Sequence, residues 1–203
     1  MENIFLNIHK NDNFDNFGNI FYEVSKELFG NYNLIINDKK YVLTEIEFYY
    51  FNTQTHKDLY THLHCMQLEF NKFYVHEKSA NRGGIDFTFG DGTNFGGILI
   101  RGLKREDEIL ITGPAKVRGE ITRILYDLED LKDCEKFYQK YNKSHQDLQE
   151  KLSNNIKFEF KDDKSKKDNL NSLIIKKKKR VGLAEKTLCN ANIFRLKEYN
   201  FSI

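Results

Sequence analysis

The sequence predicts an α+β fold: a single mixed domain with an antiparallel sheet and flanking helices. Three observations predict it. Runs rich in β-branched and aromatic residues are joined by short polar or glycine-containing turns, the signature of antiparallel hairpins. Helical periodicity is confined to a few separate stretches, and nothing alternates regularly as strand, helix, strand. The 203 residues suit one domain with a sizeable core, and no internal repeat divides them.

Residues 19–29 carry Ile20, Val24 and Leu28 at helical spacing, with Gly30 where a C-cap glycine belongs. Residues 33–37 then read as a short strand, and a polar turn at 38–40 leads into residues 41–51. That stretch, Tyr-Val-Leu-Thr-Glu-Ile-Glu-Phe-Tyr-Tyr-Phe, is aromatic or aliphatic at eight of eleven positions, so it is a strand completing a hairpin. Residues 52–66 are polar, hold His56, His62 and His64, and read as a loop. Residues 71–76 form another strand. Residues 85–89 and 95–101, around a Gly90-Asp91-Gly92 turn, form a second hairpin. These glycines do not make a P-loop, because the lysine and the Ser/Thr of that motif are missing.

A short strand at 109–111 precedes Gly113-Pro114, with proline at the first position of a helix whose apolar stripe runs through Ile121, Ile124, Leu125 and Leu128. Residues 132–172 are highly charged and read as a segment inserted into the 1–203 domain. Three last pieces, at 173–175, 180–184 and 193–196, read as strands or loops closing the sheet.

Composition excludes several classes. No apolar run approaches the roughly 20 residues of a membrane span, and the first residues lack the layout of a signal peptide. Cys65, Cys134 and Cys189 are odd in number and far apart, which excludes a disulfide scaffold and suits a reducing compartment. A cytoplasmic protein is the expectation. The net charge of +2 does not announce a nucleic-acid binder, although Lys164, Lys166 and Lys167, and Lys176 to Arg180, form basic clusters.

Three constellations carry chemistry. Residues two apart on a strand share a face, so Leu43, Glu45, Glu47, Tyr49 and Phe51 point one way, and Val42, Ile46 and Phe48 the other. Such carboxylates either solubilise an exposed face or, partly desolvated among aromatic rings, accept a proton from water beside a stacked planar base. The second constellation is His56, His62, His64, Cys65 and His76, which matches no common zinc spacing. The third is Arg101, which ends an apolar run. An arginine there needs a carboxylate or phosphate, and Glu45 or Glu47 is available.

Glu45-Ile-Glu-Phe-Tyr49, Phe73-Tyr-Val-His76, Leu99-Ile-Arg-Gly-Leu103, Gly113-Pro-Ala-Lys116 and Arg180-Val-Gly-Leu183 stand in an order that resembles the alkyladenine (3-methyladenine) DNA glycosylases of animals and bacteria. The resemblance covers residues 20 to 203. It implies a curved sheet and a monofunctional hydrolase that flips a damaged purine out of DNA and cuts its N-glycosidic bond. Glu47 would be the general base, with Arg101 supporting it from the strand behind. Tyr49 would stack on the flipped base. His62 would touch sugar phosphate and base, with His56 the rival for that role. His76 stands where the family has a second pocket aromatic, and Thr88 falls near its pocket asparagine. At the family's wedge tyrosine this chain has Ser79, with Asn81 and Arg82 following as polar substitutes. Lys116, Lys178 and Arg180 are further DNA-contact candidates. The resemblance implies no metal, no cofactor and a monomer, working in the cytoplasm, on the nucleoid or in a nucleus according to its host. These departures keep a second expectation open, a protein of the same scaffold that binds nucleic acid or a nucleotide without cleaving it.

Overall fold

The computed structural model describes residues 1–76, 83–129, 144–161, 173–186 and 191–203. In chain order its elements are helices α1 (Glu2–His9) and α2 (Phe17–Asn31), and strands β1 (Tyr32–Ile36), β2 (Lys39–Asn52), β3 (His56–Lys57), β4 (Phe70–Val75), β5 (Ile85–Phe89), β6 (Phe95–Arg105) and β7 (Leu110–Thr112). Helix α3 (Pro114–Leu125), helix α4 (Ser144–Asn155), strands β8 (Ile156–Phe160) and β9 (Lys176–Lys178), helix α5 (Ala191–Leu196) and strand β10 (Asn200–Ser202) follow. The helices and the large antiparallel sheet make a single α+β domain, as the sequence predicts.

Strand β2 organises the sheet. Along one edge it pairs with β6, from Tyr41 opposite Arg105 to Phe51 opposite Phe95. The opposite edge is shared by β1 near Tyr41, β10 at Glu45 to Glu47, and β3 at Phe51 and Asn52. Strands β4 and β5 extend the sheet beyond β6, and β8 extends it beyond β1. The β1–β2 turn is tighter than the sequence suggested. Asn37 and Asp38 both take positive φ, 46° and 65°, the two-residue geometry that matches the twist of a hairpin.

The core sits between α1 and α2 and one face of the sheet. Phe21 of α2 stacks on Phe48 with ring centroids 4.5 Å apart, and Phe5 of α1 stacks on Phe89 at 5.4 Å. Helix α2 runs past Gly30 to Asn31, so that glycine lies inside the last turn and Tyr32, in extended conformation, ends the helix.

Two sequence expectations change. Part of the charged 132–172 segment belongs to the domain proper: α4 buries Leu148 and Leu152 completely, and β8 pairs with β1 over five residues. The Gln149 side chain of α4 also accepts from the Val75 N–H of β4 at 2.9 Å, joining helix and sheet edge. Residues 193–196 lie in helix α5, not in a strand. Ser79, Asn81 and Arg82 lie outside the described residues.

Candidate active site

The face of the sheet turned away from α2 is not a solvent face. Glu47 is 0% exposed, and Tyr49 only 8%. The first turn of α3, the segment from Tyr60 to Gln67 and the segment from Val181 to Leu183 enclose a cavity of about 640 Å³ over it, within the size range of small-molecule pockets, roughly 300–1,000 Å³.

Directly opposed residues in an antiparallel sheet present side chains to the same face. One such row crosses six strands: Tyr74 on β4, Asp86 on β5, Leu99 on β6, Glu47 on β2, Asn200 on β10 and Lys178 on β9. The row places two buried carboxylates, Glu47 and Asp86, on one face, two strand spacings or about 10 Å of main chain apart.

Glu47 is held by donors from three elements. The Tyr49 hydroxyl donates to Oε1. The Val181 N–H donates to Oε2 at 3.2 Å and the Asn200 amide at 2.9 Å. Arg101 Nε stands 3.5 Å from Oε2 and makes its nearer contact with Glu45 Oε1, at 2.9 Å. Asn200 also donates to Glu45 Oε1 at 2.8 Å, so the two glutamates share Arg101 and Asn200. An ionised carboxylate offers about four acceptor positions. With one taken on Oε1 and two on Oε2, one position on Oε1 is unclaimed. Burial, and then the Glu47 charge, hold the Tyr49 phenol well above its ordinary pKa, so it stays a donor.

A β-bulge around Thr44 and Glu45 re-aims Glu45 toward Arg101. The bulge needs Gly102 opposite, because a Cβ there would lie 2.4 Å from Thr44 Oγ1 and 3.0 Å from the Glu45 main-chain nitrogen.

Of the residues singled out in the sequence, Tyr49, His62, His76, Arg101 and Lys116 line the cavity. Glu47 lies immediately behind its wall, in contact with Tyr49, Arg101 and Val181, which form part of that wall. Glu45 supports it from the side, and Lys178 is exposed on β9.

Three residues are placed elsewhere. Thr88 shares the site face, but its hydroxyl is bonded to the Lys72 main chain and does not line the cavity; Asp86 stands there instead. Arg180 is no surface contact. It is buried, paired through both terminal nitrogens with Asp58, and its guanidinium covers one side of the Tyr49 ring at 4.8 Å.

His56 packs in the core against Phe17, with ring centroids 4.4 Å apart, and against Phe194 at 4.8 Å, while its Nδ1 lies 2.8 Å from the Tyr50 carbonyl oxygen. The other histidines divide. His64 caps the short turn at Cys65–Leu68 and stacks on Tyr74, whereas His62 and His76 meet at the cavity with ring centroids 4.1 Å apart. Among the described residues no group of three or more His, Cys, Asp or Glu has an arrangement that would hold a metal ion.

Burial lowers the His56 pKa to about 4. A histidine whose folded pKa is depressed contributes stability above its unfolded pKa and loses it as pH falls, here from about 6.5 through about 4. Acidification from pH 7 to 4 should therefore cost wild type roughly 3 kcal/mol more than His56→Gln. Urea unfolding of both proteins across that range checks this, and equal pH slopes would refute it.

The residues missed by sequence reading are Asp58, Tyr60, Gln67, Asp86 and Asn200. Asp86 and Asn200 carry no local signal, and only the pairing of distant strands sets Asn200 against Glu47 and Asp86 two strands away on the same face.

No known protein family model matches the chain. The chain is similar to an uncharacterized protein, L759, of Acanthamoeba polyphaga mimivirus, with 31% identity over 121 residues. The match spans 50% of this chain and 56% of that relative, so it covers little more than half of the relative's length. No described helix is long and apolar enough to cross a membrane.

Proposed function

We propose that this protein is a monofunctional DNA glycosylase that releases a damaged purine by general-base hydrolysis of its N-glycosidic bond. The observation that carries the reading is Glu47: a buried, donor-oriented carboxylate with one acceptor position unclaimed, behind an aromatic-walled cavity. A water bound at that position would lose its proton to Glu47 as it attacks C1′, and the carboxylate charge would stabilise the oxocarbenium-like sugar. The face of Tyr49 not covered by Arg180 offers a stacking platform. A purine inside a duplex must leave the stack to reach it. The order of motifs in the sequence supports the same reading. It requires no metal and no cofactor, and it includes a monomer acting on DNA in the cytoplasm or a nucleus.

Charge supports a polyanionic partner. Lys116 lies at the cavity rim on the first turn of α3, whose N-terminal end favours anions. Lys178 points to the site face from the fully exposed strand β9. Lys116→Glu with Lys178→Glu should weaken duplex binding uniformly across sequences, and should flatten the dependence of log K on log salt by about one for each phosphate that the variant no longer neutralises. Fluorescence-anisotropy titrations at several salt concentrations measure both. An unchanged slope would remove these lysines from the interface.

The deciding experiment is base release from duplexes carrying hypoxanthine or ethenoadenine, and from methylated genomic DNA. One observation favours a second reading. Glu47 has no exposed surface, since Tyr49, Arg101 and Val181 stand between it and the cavity. On that reading the scaffold binds a nucleotide or nucleic acid without cleaving it. Binding with no release from any of these substrates would establish it.

A further inference from the structure

Resting on the reading that Glu47 activates water at C1′ in this cavity, we propose that the protein also hydrolyses free N-alkylated purine nucleoside 5′-monophosphates. Arg101, Lys116 and the first turn of α3 would hold the phosphate. Arg101 lies in the cavity wall, on the same face of β6 as Leu99, with its side chain 11% exposed. Its Nε is committed to Glu45 Oε1 at 2.9 Å and stands 3.5 Å from Glu47 Oε2. The two terminal nitrogens have no hydrogen-bond partner among the described residues, and neither is sealed from the cavity. The open end of the guanidinium therefore faces the cavity with its N–H groups unspent. That planar fork matches the oxygens of a phosphate.

The start of α3 completes the subsite. The Gly113 N–H donates to the Arg101 carbonyl at 2.7 Å, so the helix begins beside Arg101. Leu99 and Pro114 meet over Gly84, where an added Cβ would lie 2.4 Å from Leu99 Cδ1 and 3.5 Å from Pro114 Cβ. Pro114 has no N–H, and no side chain caps the helix. The Ala115 and Lys116 N–H groups have no acceptor among the described residues, and the Lys116 ammonium has no carboxylate partner among them. Thr112, Ala115 and Lys116 all line the cavity. Free amide donors at the positive end of a helix favour an anion. Lys116 adds the positive charge that Arg101, already shared by Glu45 and Glu47, does not supply alone.

The place of these donors selects the substrate. A phosphate within a DNA strand has chain leaving from both sides, so it stays at the surface while the base turns inward. The Arg101 fork lies in the wall beside the general base, where a terminal phosphate enters with no chain beyond it. A phosphate monoester also carries close to two negative charges at neutral pH, which suits two cations. The cavity of about 640 Å³ is of the size that encloses a whole drug-sized ligand, so base, sugar and phosphate share it. Only C5′, C4′ and the ring oxygen separate the 5′ phosphate ester from C1′, so holding the phosphate at the fork sets C1′ near the water on Glu47. In the step, that water oxygen bonds to C1′ and its proton passes to Glu47. The C1′–N bond breaks with its electron pair going to the base, and an N-alkylated, cationic purine leaves as a neutral molecule. The sugar 5-phosphate is the second product, and Glu47 returns its proton to solvent.

The test compares kcat/KM for release of 7-methylguanine from 7-methyl-2′-deoxyguanosine, from its 5′-monophosphate and from a duplex carrying the same base, with wild type, Lys116→Ala and Arg101→Lys. In wild type the monophosphate should exceed the nucleoside about 100-fold, the size of one or two charged hydrogen bonds. Lys116→Ala should lower that ratio about tenfold. Arg101→Lys keeps the charge, loses the fork and should lower the ratio too. The ratio cancels any change at Glu47 that both small substrates feel alike, so a merely structural effect would leave it in place. Release from the duplex with none from the monophosphate, equal release from monophosphate and nucleoside, or a ratio unmoved in both variants would overturn the proposal; the glycosylase reading stands wherever the duplex is cleaved. Release from the monophosphate and not from the duplex would support the proposal and overturn the DNA reading. Release from none of the three would overturn both.

Discussion

Glu47→Gln is expected to lower base release about a thousandfold, within the span that general-base catalysis contributes, while folding and duplex binding persist. The substitution keeps the shape and removes only the charge and the basicity. A glutamine amide fits the same donors in one orientation. Its oxygen can accept from the Val181 N–H and the Asn200 amide, and its NH₂ can donate to the Tyr49 hydroxyl oxygen, which accepts as readily as it donates. The melting temperature should therefore move only slightly. Single-turnover release and a thermal melt, read side by side, check both halves. A variant that still releases base at the wild-type rate would remove Glu47 from the chemistry. A variant that is inactive because it is unfolded would instead show Glu47 as a structural tie.

Arg180→Met should destabilise the protein by about 3–5 kcal/mol, the cost of leaving a buried charge without its partner. Asp58 and Arg180 both have side chains with no exposure, and Arg180 Nη2 also donates to the Phe194 carbonyl at 2.7 Å. Removing the guanidinium leaves the Asp58 carboxylate in the interior, bonded chiefly to the Tyr60 N–H at 3.0 Å. The double variant Arg180→Met with Asp58→Leu should recover a large part of the loss, because it removes both charges together. Chemical denaturation of the two single variants and the double completes the cycle. A stable Arg180→Met protein with weakened DNA binding would instead return Arg180 to the interface that its basic neighbours suggest.

Strand β2 and its catalytic candidates were legible because strand geometry is local. A dense aromatic and β-branched run is a strand, and the two-residue period places Glu47 and Tyr49 together. Arg101 was legible as an arginine too costly to leave unpaired. Asp86 was not, since Ile-Asp-Phe-Thr-Phe alternates as a half-exposed strand does. The Gln67 turn, arriving from outside the sheet, and the His76 ring cover it. Arg180 was misread because it ends a run of lysines, and composition cannot separate the one member that turns inward. Helix α4 was hidden in the same way. Its two fully buried anchors, Leu148 and Leu152, stand four apart in a segment whose charge dominates any average. Helix α5 is six residues long and contains Ile193 and Phe194, so its local preference resembles a strand.

The tie between Glu47 and Asn200 also sets an order of assembly. The two residues are 153 positions apart in the chain. A contact of that span closes only after the intervening chain has been made and has begun to fold, because the loop entropy must be spent first. A nascent chain that has not yet delivered Asn200 has Glu47 on a strand without its amide clamp, and without β10 to cover that edge. A growing chain therefore lacks the complete set of donors to Glu47 until its synthesis has passed β10.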